Sequence, residues 1–274
     1  MKSQLANCLR AYAAEGVALA FSGGVDSTLL LVLLAELQAE KHFPLLAVYF
    51  HSVFQLESET QDVQCLAERY NVPLVQESFD PLAIPDVAMN PVDRCYWCKH
   101  TIMSRLCEFA EARGLGVVME GSHAGDASKY RPGRRALQEL GVVSPLSECG
   151  FDKAAIRKLS AEMGIPVASK PSFSCLATRF SYGAHLTPAG LARVAEGERL
   201  LRGLLGAGGN LRLRVFENMA RIEIDSDLLE VAILKREAIV SALKPLGFEN
   251  VSLDLEGFRS GSMDGAHFST AKNS

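Results

Sequence analysis

The sequence predicts an α/β fold, a parallel β-sheet covered by helices on both faces, followed by a small α+β domain. Three observations carry this. Between residues 17 and 166, short apolar runs alternate with helical stretches, as a doubly covered parallel sheet requires. Polar turns at 22–27, 51–52 and 121–122 each follow an apolar run. They therefore share one edge of the sheet, the edge where open α/β folds bind ligands. After Pro171 the pattern changes, and LRLRVF and ARIEID alternate with period two. A chain of 274 residues suits one large and one small domain, placed here at 1–168 and 169–274.

The elements follow in order. VALAF (17–21), LLAVYF (45–50), PLVQE (73–77), GVVME (116–120) and VVSPL (142–146) are short apolar runs with the look of buried strands. Helical segments lie between the first four, including 58–70 and 100–113, and another spans 152–163. Residues 187–205 form a helix, with Thr187 as N-cap and Pro188 at the first helical position. LRLRVF and ARIEID pair as antiparallel strands, and a helix over 235–243 and the strand NVSLDL complete the small domain. No internal repeat or low-complexity tract is present, and the tail from Gly265 is expected to be mobile.

Composition narrows the function. Hydrophobic residues make up 48% of the chain, enough for an ordinary core. The net charge of −4 provides no overall positive field for nucleic acid. No apolar run reaches membrane-spanning length, and the first residues lack a signal-peptide pattern, so a cytoplasmic protein is expected. Its seven cysteines are then core residues, metal ligands or reagents rather than disulfide partners.

Ser22, Gly23, Gly24, Asp26 and Ser27 form a glycine turn between a strand and a long apolar helix. Glycines let backbone N–H groups approach anionic oxygens, and the helix dipole adds positive charge there. Asp26 repels phosphate, so it suits Mg²⁺ binding or orientation of the turn. No Walker lysine follows. A second cluster, RCYWCK, places Cys95 and Cys98 at the start of a helix beside Arg94 and Lys99, a setting that favours thiolates. In a third, KPSFSCLATRF, Cys175 sits in a turn-rich segment four residues before Arg179. Cys8, Cys65, Cys107 and Cys149 lack such surroundings and read as structural.

SGGVDS resembles the PP-loop of the ATP pyrophosphatases, which implies ATP cleaved between its α- and β-phosphates and AMP placed on a substrate oxygen. The turn then holds the leaving pyrophosphate, and no γ-phosphate lysine is needed. More of the chain resembles the LarE-type sulfur transferases. The matching pieces are RCYWCK, GSHAGDASKYRPGRRAL, SPL, KPSFSCLATR, YGAHLT, LRLRVFENMARIEI and LDLEGFRSGSM. The resemblance implies ATP with Mg²⁺, and a pyridinium dicarboxylate mononucleotide whose carboxylate becomes a thiocarboxylate. In one branch the cysteine matching Cys175 gives up its own sulfur. Cys95 and Cys98 match instead a three-cysteine branch that carries a [4Fe-4S] cluster and accepts sulfide or another sulfur donor. Zinc binding and a persulfide relay remain open for the same three cysteines.

The resemblance further implies nucleotide contacts at Phe50 and Gly121, with adenine near Phe21 and Phe50. It implies a phosphate site at Arg212 and Arg214 and an acidic site position at Glu223, and Arg179 and Arg259 are candidates to neutralise substrate carboxylates and phosphate. For the arginine pair and Glu223, a solvated strand face or local ion pairs are the simpler alternative. Lys153, Arg157, Asp126, Arg131 and Arg134 are further charged candidates, and His51 and His123 read as lining residues. Relatives suggest a homo-oligomer, a hexamer. The competing readings are a PP-loop tRNA thiolase, an ammonia-using synthetase and a nucleotide-binding module without turnover.

Overall fold

The computed structural model describes residues 1–126, 132–171, 174–206 and 208–263. Arg131 and the tail from Gly265 lie outside the described residues. The chain divides into two compact units, Met1–Val87 with Val92–Phe173, and Ala88–Pro91 with Ser174–Ser274.

The first unit contains strands β1 (Val17–Ala20), β2 (Leu45–His51), β3 (Leu74–Ser78) and β4 (Val117–Met119). They form a parallel sheet in the order β3-β2-β1-β4. Around it lie α1 (Lys2–Ala13), α2 (Val25–Lys41), α3 (Glu57–Arg69), the single turn α4 (Pro85–Ala88), α5 (Arg94–Glu111), α6 (Gly133–Glu139), α7 (Pro145–Glu148) and α8 (Lys153–Glu162). Strand alternation divides the core. Val17, Leu19, Ala47, Tyr49 and Met119 pack with α1, α2 and α8 residues such as Leu9, Leu30 and Ile156. Ala18, Val48 and Val118 face the other way, against Met103, Leu106 and Leu137. Strands β1, β2 and β4 are thus buried on both faces, which explains why they read as continuous apolar runs, while no residue of the edge strand β3 is buried. Ten residues of α2 are buried around much of its circumference, as its apolar composition requires. Among the described residues no helix is long and apolar enough to cross a membrane.

Two expectations need correction. VVSPL is not a strand. It makes one bridge, between Val143 and Met119, and then enters α7, with Ser144 as N-cap and Pro145 at the first helical position. Proline cannot donate to a strand ladder, and its fixed φ suits a helix start. The helix expected over 100–113 begins at Arg94, so the RCYWCK segment is its first turns.

In the second unit, β5 (Leu211–Phe216) and β6 (Met219–Ile224) form a tight antiparallel hairpin, with β7 (Asn250–Leu253) added parallel to β6. Helices α9 (Pro188–Leu205), α10 (Leu229–Leu234) and α11 (Arg236–Leu243) accompany this sheet. Thr187 caps α9 by accepting the Gly190 N–H at 3.1 Å.

Candidate active site

Strand order reverses beside β1, because β2 and β3 lie on one side of it and β4 on the other. Loops leaving the C-terminal ends of β1 and β4 diverge at such a point and open a crevice. A cavity of about 470 Å³ lies there, a size that suits a nucleotide. Ala20, Val48, Phe21, Phe50, Ile102 and Met103 form its apolar wall, and Ser22, Asp26, Ser27, Gln55, Lys99, Glu120, Ser122 and Asp126 supply polar groups.

The turn after β1 has little slack. Gly23 adopts φ +68°, and a Cβ there would lie 2.8 Å from Val63 Cγ2. Ser27 Oγ accepts the Ser22 N–H at 3.3 Å, contacts Ser22 Oγ at 3.1 Å and donates to Gly24 O at 3.2 Å. These bonds hold residues 22–27 as one loop at the N-terminus of α2. From the other side Gly121 approaches so closely that a Cβ would meet Ser27 N at 3.0 Å. A side chain there would intrude on the turn itself. Asp26 is engaged by Lys153, whose Nζ lies 2.9 and 2.7 Å from its two oxygens. Arg157, one turn along α8, donates instead to Ala168 O and Lys170 O at 2.6 and 2.8 Å, so the two side chains do not act together.

Glu120, at the end of β4, is a site residue that the sequence reading passed over. It is 5% exposed, and it accepts hydrogen bonds from Lys99 Nζ (2.8 Å), Ser122 N and Oγ (both 2.8 Å) and Ser144 Oγ (2.6 Å). Burial alone would push its carboxyl up, but the Lys99 ammonium and these donors outweigh burial and hold it below the usual carboxylate range. Lys99, expected beside the thiols, is thus turned toward Glu120. A carboxyl that is lower in the folded state contributes stability at pH values above its unfolded pKa of about 4.3, lost as pH falls through the folded value. Lys99→Met is expected to cost about 1–3 kcal/mol near pH 7. The cost should shrink in acid, where Glu120 takes up a proton. Urea unfolding at the two pH values measures this, and a pH-independent cost would contradict the charge pairing.

Cys95 is exposed and Cys98 half-buried, one turn apart on α5, with Arg94 Nη2 3.7 Å from Cys95 Sγ. Neighbouring side chains brace this turn. Tyr96 Oη donates to Glu139 of α6 at 2.7 Å, and the Arg135 guanidinium lies 3.6 Å from the Tyr96 ring centroid. Cys175 is half-buried and belongs to the second unit. All seven cysteines are among the described residues and none is in a disulfide. Among the described residues no three His, Cys, Asp or Glu side chains gather into a metal-binding group. Asp126 lines the nucleotide cavity, 3.8 Å from His123; His51 lies 3.9 Å from Glu57, and Arg134 is half-buried on α6.

Arg212 and Arg214 do not lie on a solvated face. Arg179 is 1% exposed, forms two hydrogen bonds with Glu198 of α9 (2.8 and 3.1 Å) and donates to Ser174 O (2.6 Å) and Cys175 O (3.1 Å). It clamps the turn that carries Cys175. Arg214 holds the same turn through Thr178 O at 2.9 Å and pairs with the fully buried Glu223 at 2.8 Å. Arg221 and Ser262 also bond Glu223. Arg212, 2% exposed, lies over Phe258, and burial followed by repulsion from Arg179 pushes its guanidinium down to about 10. Arg259 stays on the surface with Asp254 and Glu256. Among the described residues, Arg179, Arg212 and Arg214 lie near two carboxylates, Glu198 and Glu223.

The chain is similar to known proteins along most of its length. The PP-loop domain model matches residues 1–94. An uncharacterized protein of Synechocystis sp. is 34% identical over 90% of this chain and 91% of its own length. Pyridinium-3,5-bisthiocarboxylic acid mononucleotide synthase of Lactiplantibacillus plantarum is 33% identical, over 91% of this chain and 89% of its own. An uncharacterized protein of Methanocaldococcus jannaschii is 30% identical over 89% and 91%. This protein is an ATP-dependent enzyme and belongs to the LarE family of PP-loop ATP pyrophosphatases.

Proposed function

We propose that the protein converts a carboxylate of a pyridinium dicarboxylate mononucleotide into a thiocarboxylate at the expense of ATP. The observation that carries this reading is the 33% identity, over 91% of the chain, to a synthase named for a pyridinium bisthiocarboxylic acid mononucleotide. A carboxylate is anionic and its oxide is a very poor leaving group, so it must be activated. The turn at 22–27 holds the pyrophosphate end of ATP, and Asp26 would hold a Mg²⁺ ion, which would neutralise charge developing on the leaving group. Phe21 and Phe50 flank the adenine. One substrate oxygen attacks the α-phosphorus, pyrophosphate leaves, and an acyl-adenylate forms. Sulfide then attacks the acyl carbon and AMP departs with that oxygen. The positive cluster containing Arg212 and Arg214 favours the phosphate of the mononucleotide.

Sulfur delivery is assigned to a [4Fe-4S] cluster held by Cys95, Cys98 and Cys175. The donor set fits in kind, because the three thiols are outside disulfides, none is fully buried, and two share the first turns of α5. When bound, such a cluster supplies one iron without a protein ligand, on which sulfide can be carried. The test is anaerobic purification with iron and acid-labile sulfide analysis. About four irons per chain are expected, lost together with activity on Cys→Ala change at any of the three positions. A mass loss of one H₂S at Cys175, with activity surviving when Cys95 and Cys98 are both replaced, would assign the sulfur to the protein itself.

A further inference from the structure

Two cysteines with no part in the proposed sulfur delivery meet where α1 packs on α7. Gln4, Cys8 and Tyr12 recur every fourth residue of α1 and so share one face of it. That face meets the end of α7, where Cys149 is the C-cap. Gln4 Nε2 donates to Cys149 O at 3.5 Å and Tyr12 Oη donates to Glu148 Oε2 at 3.0 Å. Cys8 Sγ lies 4.0 Å from that same carboxylate oxygen and shares a hydrogen bond with the Cys149 thiol. Both cysteines are half-buried, within reach of a small reagent. Residues 144–151 also back the loop that leaves β4. Ser144 Oγ donates to Glu120 Oε1 at 2.6 Å, and Phe151 O accepts the Ala124 N–H at 2.8 Å.

We propose that Cys8 and Cys149 are a redox-active pair, closed to a disulfide by exchange with a small-molecule disulfide. The bond staples α1 to the segment behind the nucleotide cavity. Burial first, then the bond to Cys149 and the charges of Cys149 and Glu148, pushes the Cys8 thiol up to about 12. Only a thiolate attacks readily, so the first exchange falls to Cys149. Its sulfur attacks one sulfur of the reagent, and the first small thiolate leaves. Cys8 Sγ then attacks Cys149 Sγ, passing its proton to Glu148 Oε2, and the second small thiolate leaves. Two protein thiols are oxidised to one disulfide, one small disulfide is reduced, and the two protons end on the two released thiols. Low-pKa thiols stabilise the reduced form of strongly oxidising disulfides. Cys8 is the opposite case, so the closed bond resists reduction.

The probe is oxidised glutathione, added to the native wild-type protein and followed by an alkylating quench in denaturant. Trypsin releases Cys8 in residues 3–10 and Cys149 in 136–153, and neither peptide holds another cysteine. The two peptides should be found linked, in protein that runs as a single chain on a non-reducing gel. In Cys8→Ser the second step is lost, and Cys149 should carry glutathione instead. Glu148→Gln should slow closure about tenfold or more, with the mixed disulfide accumulating. The staple closes a long loop of the unfolded chain, so oxidised wild type should melt about 5 °C or more above oxidised Cys8→Ser. Unlinked peptides in the wild type, each alkylated or carrying its own glutathione, would overturn the pair. Unchanged closure in Glu148→Gln would overturn the proton transfer, and equal melting temperatures would overturn the staple.

Discussion

Replacing Arg179 by methionine is expected to destabilise the protein by about 3–5 kcal/mol, the usual cost of removing one partner of a buried ion pair. Arg179 and Glu198 are each 1% exposed, so water cannot take the place of the guanidinium. The carboxylate of Glu198 would remain buried after losing its two-pronged partner, with the Leu213 N–H still donating at 3.0 Å. The turn at Ser174 and Cys175 would lose its donor as well. Urea unfolding measures the first effect, and faster alkylation of Cys175 reports the second. The double change Arg179→Met with Glu198→Leu should recover much of the stability, because apolar replacement of a whole buried pair is often neutral. It should not recover the slow alkylation. A loss below about 1 kcal/mol in the single variant, the range of an exposed pair, would contradict the clamp.

For Asp26→Ala the expected result is reversed, with catalysis lost and stability kept. Removing a side chain that positions the metal on the leaving pyrophosphate should lower turnover by about a thousandfold or more. The ion pair with Lys153 is partly solvent-exposed, so its contribution to folding is about 0–1 kcal/mol. Product formation by coupled pyrophosphate assay, beside a thermal melt, separates the two. Turnover above about a tenth of wild type would remove Asp26 from the chemistry.

The sheet of the first unit was legible because β1, β2 and β4 are buried on both faces, and a continuous apolar run between turn residues has few other uses. VVSPL failed for a specific reason. Apolar content suggested a strand, while Pro145, which cannot donate to a ladder, favoured the helix start that formed. In the site, SGGVDS announced itself because a phosphate turn is local in sequence. Glu120 did not stand out, since its contact with Lys99 spans 21 residues, and Lys153 was one of several charged candidates because its partner Asp26 lies 127 residues away. The buried arginines were the least legible. Period two in LRLRVF separates leucines from arginines, and an arginine face reads as solvated, yet five of its six residues are buried. What covers that face comes from elsewhere in the chain: Phe258 lies against Arg212, and Thr178 O and Ser262 receive Arg214. No spacing rule within the strand conveys that.

The central claim is that ATP activates the substrate carboxylate by direct attack on the α-phosphorus. The measurement that tests it most directly uses the pyridinium dicarboxylate mononucleotide labelled with ¹⁸O in its carboxylates, supplied with ATP, Mg²⁺ and sulfide under anaerobic conditions. Adenylation places one substrate oxygen on the phosphorus, and sulfide attack at the acyl carbon leaves it there. The nucleotide product should therefore be AMP carrying one ¹⁸O, accompanied by unlabelled pyrophosphate. Unlabelled AMP, or ADP with orthophosphate as the main products, would contradict the account.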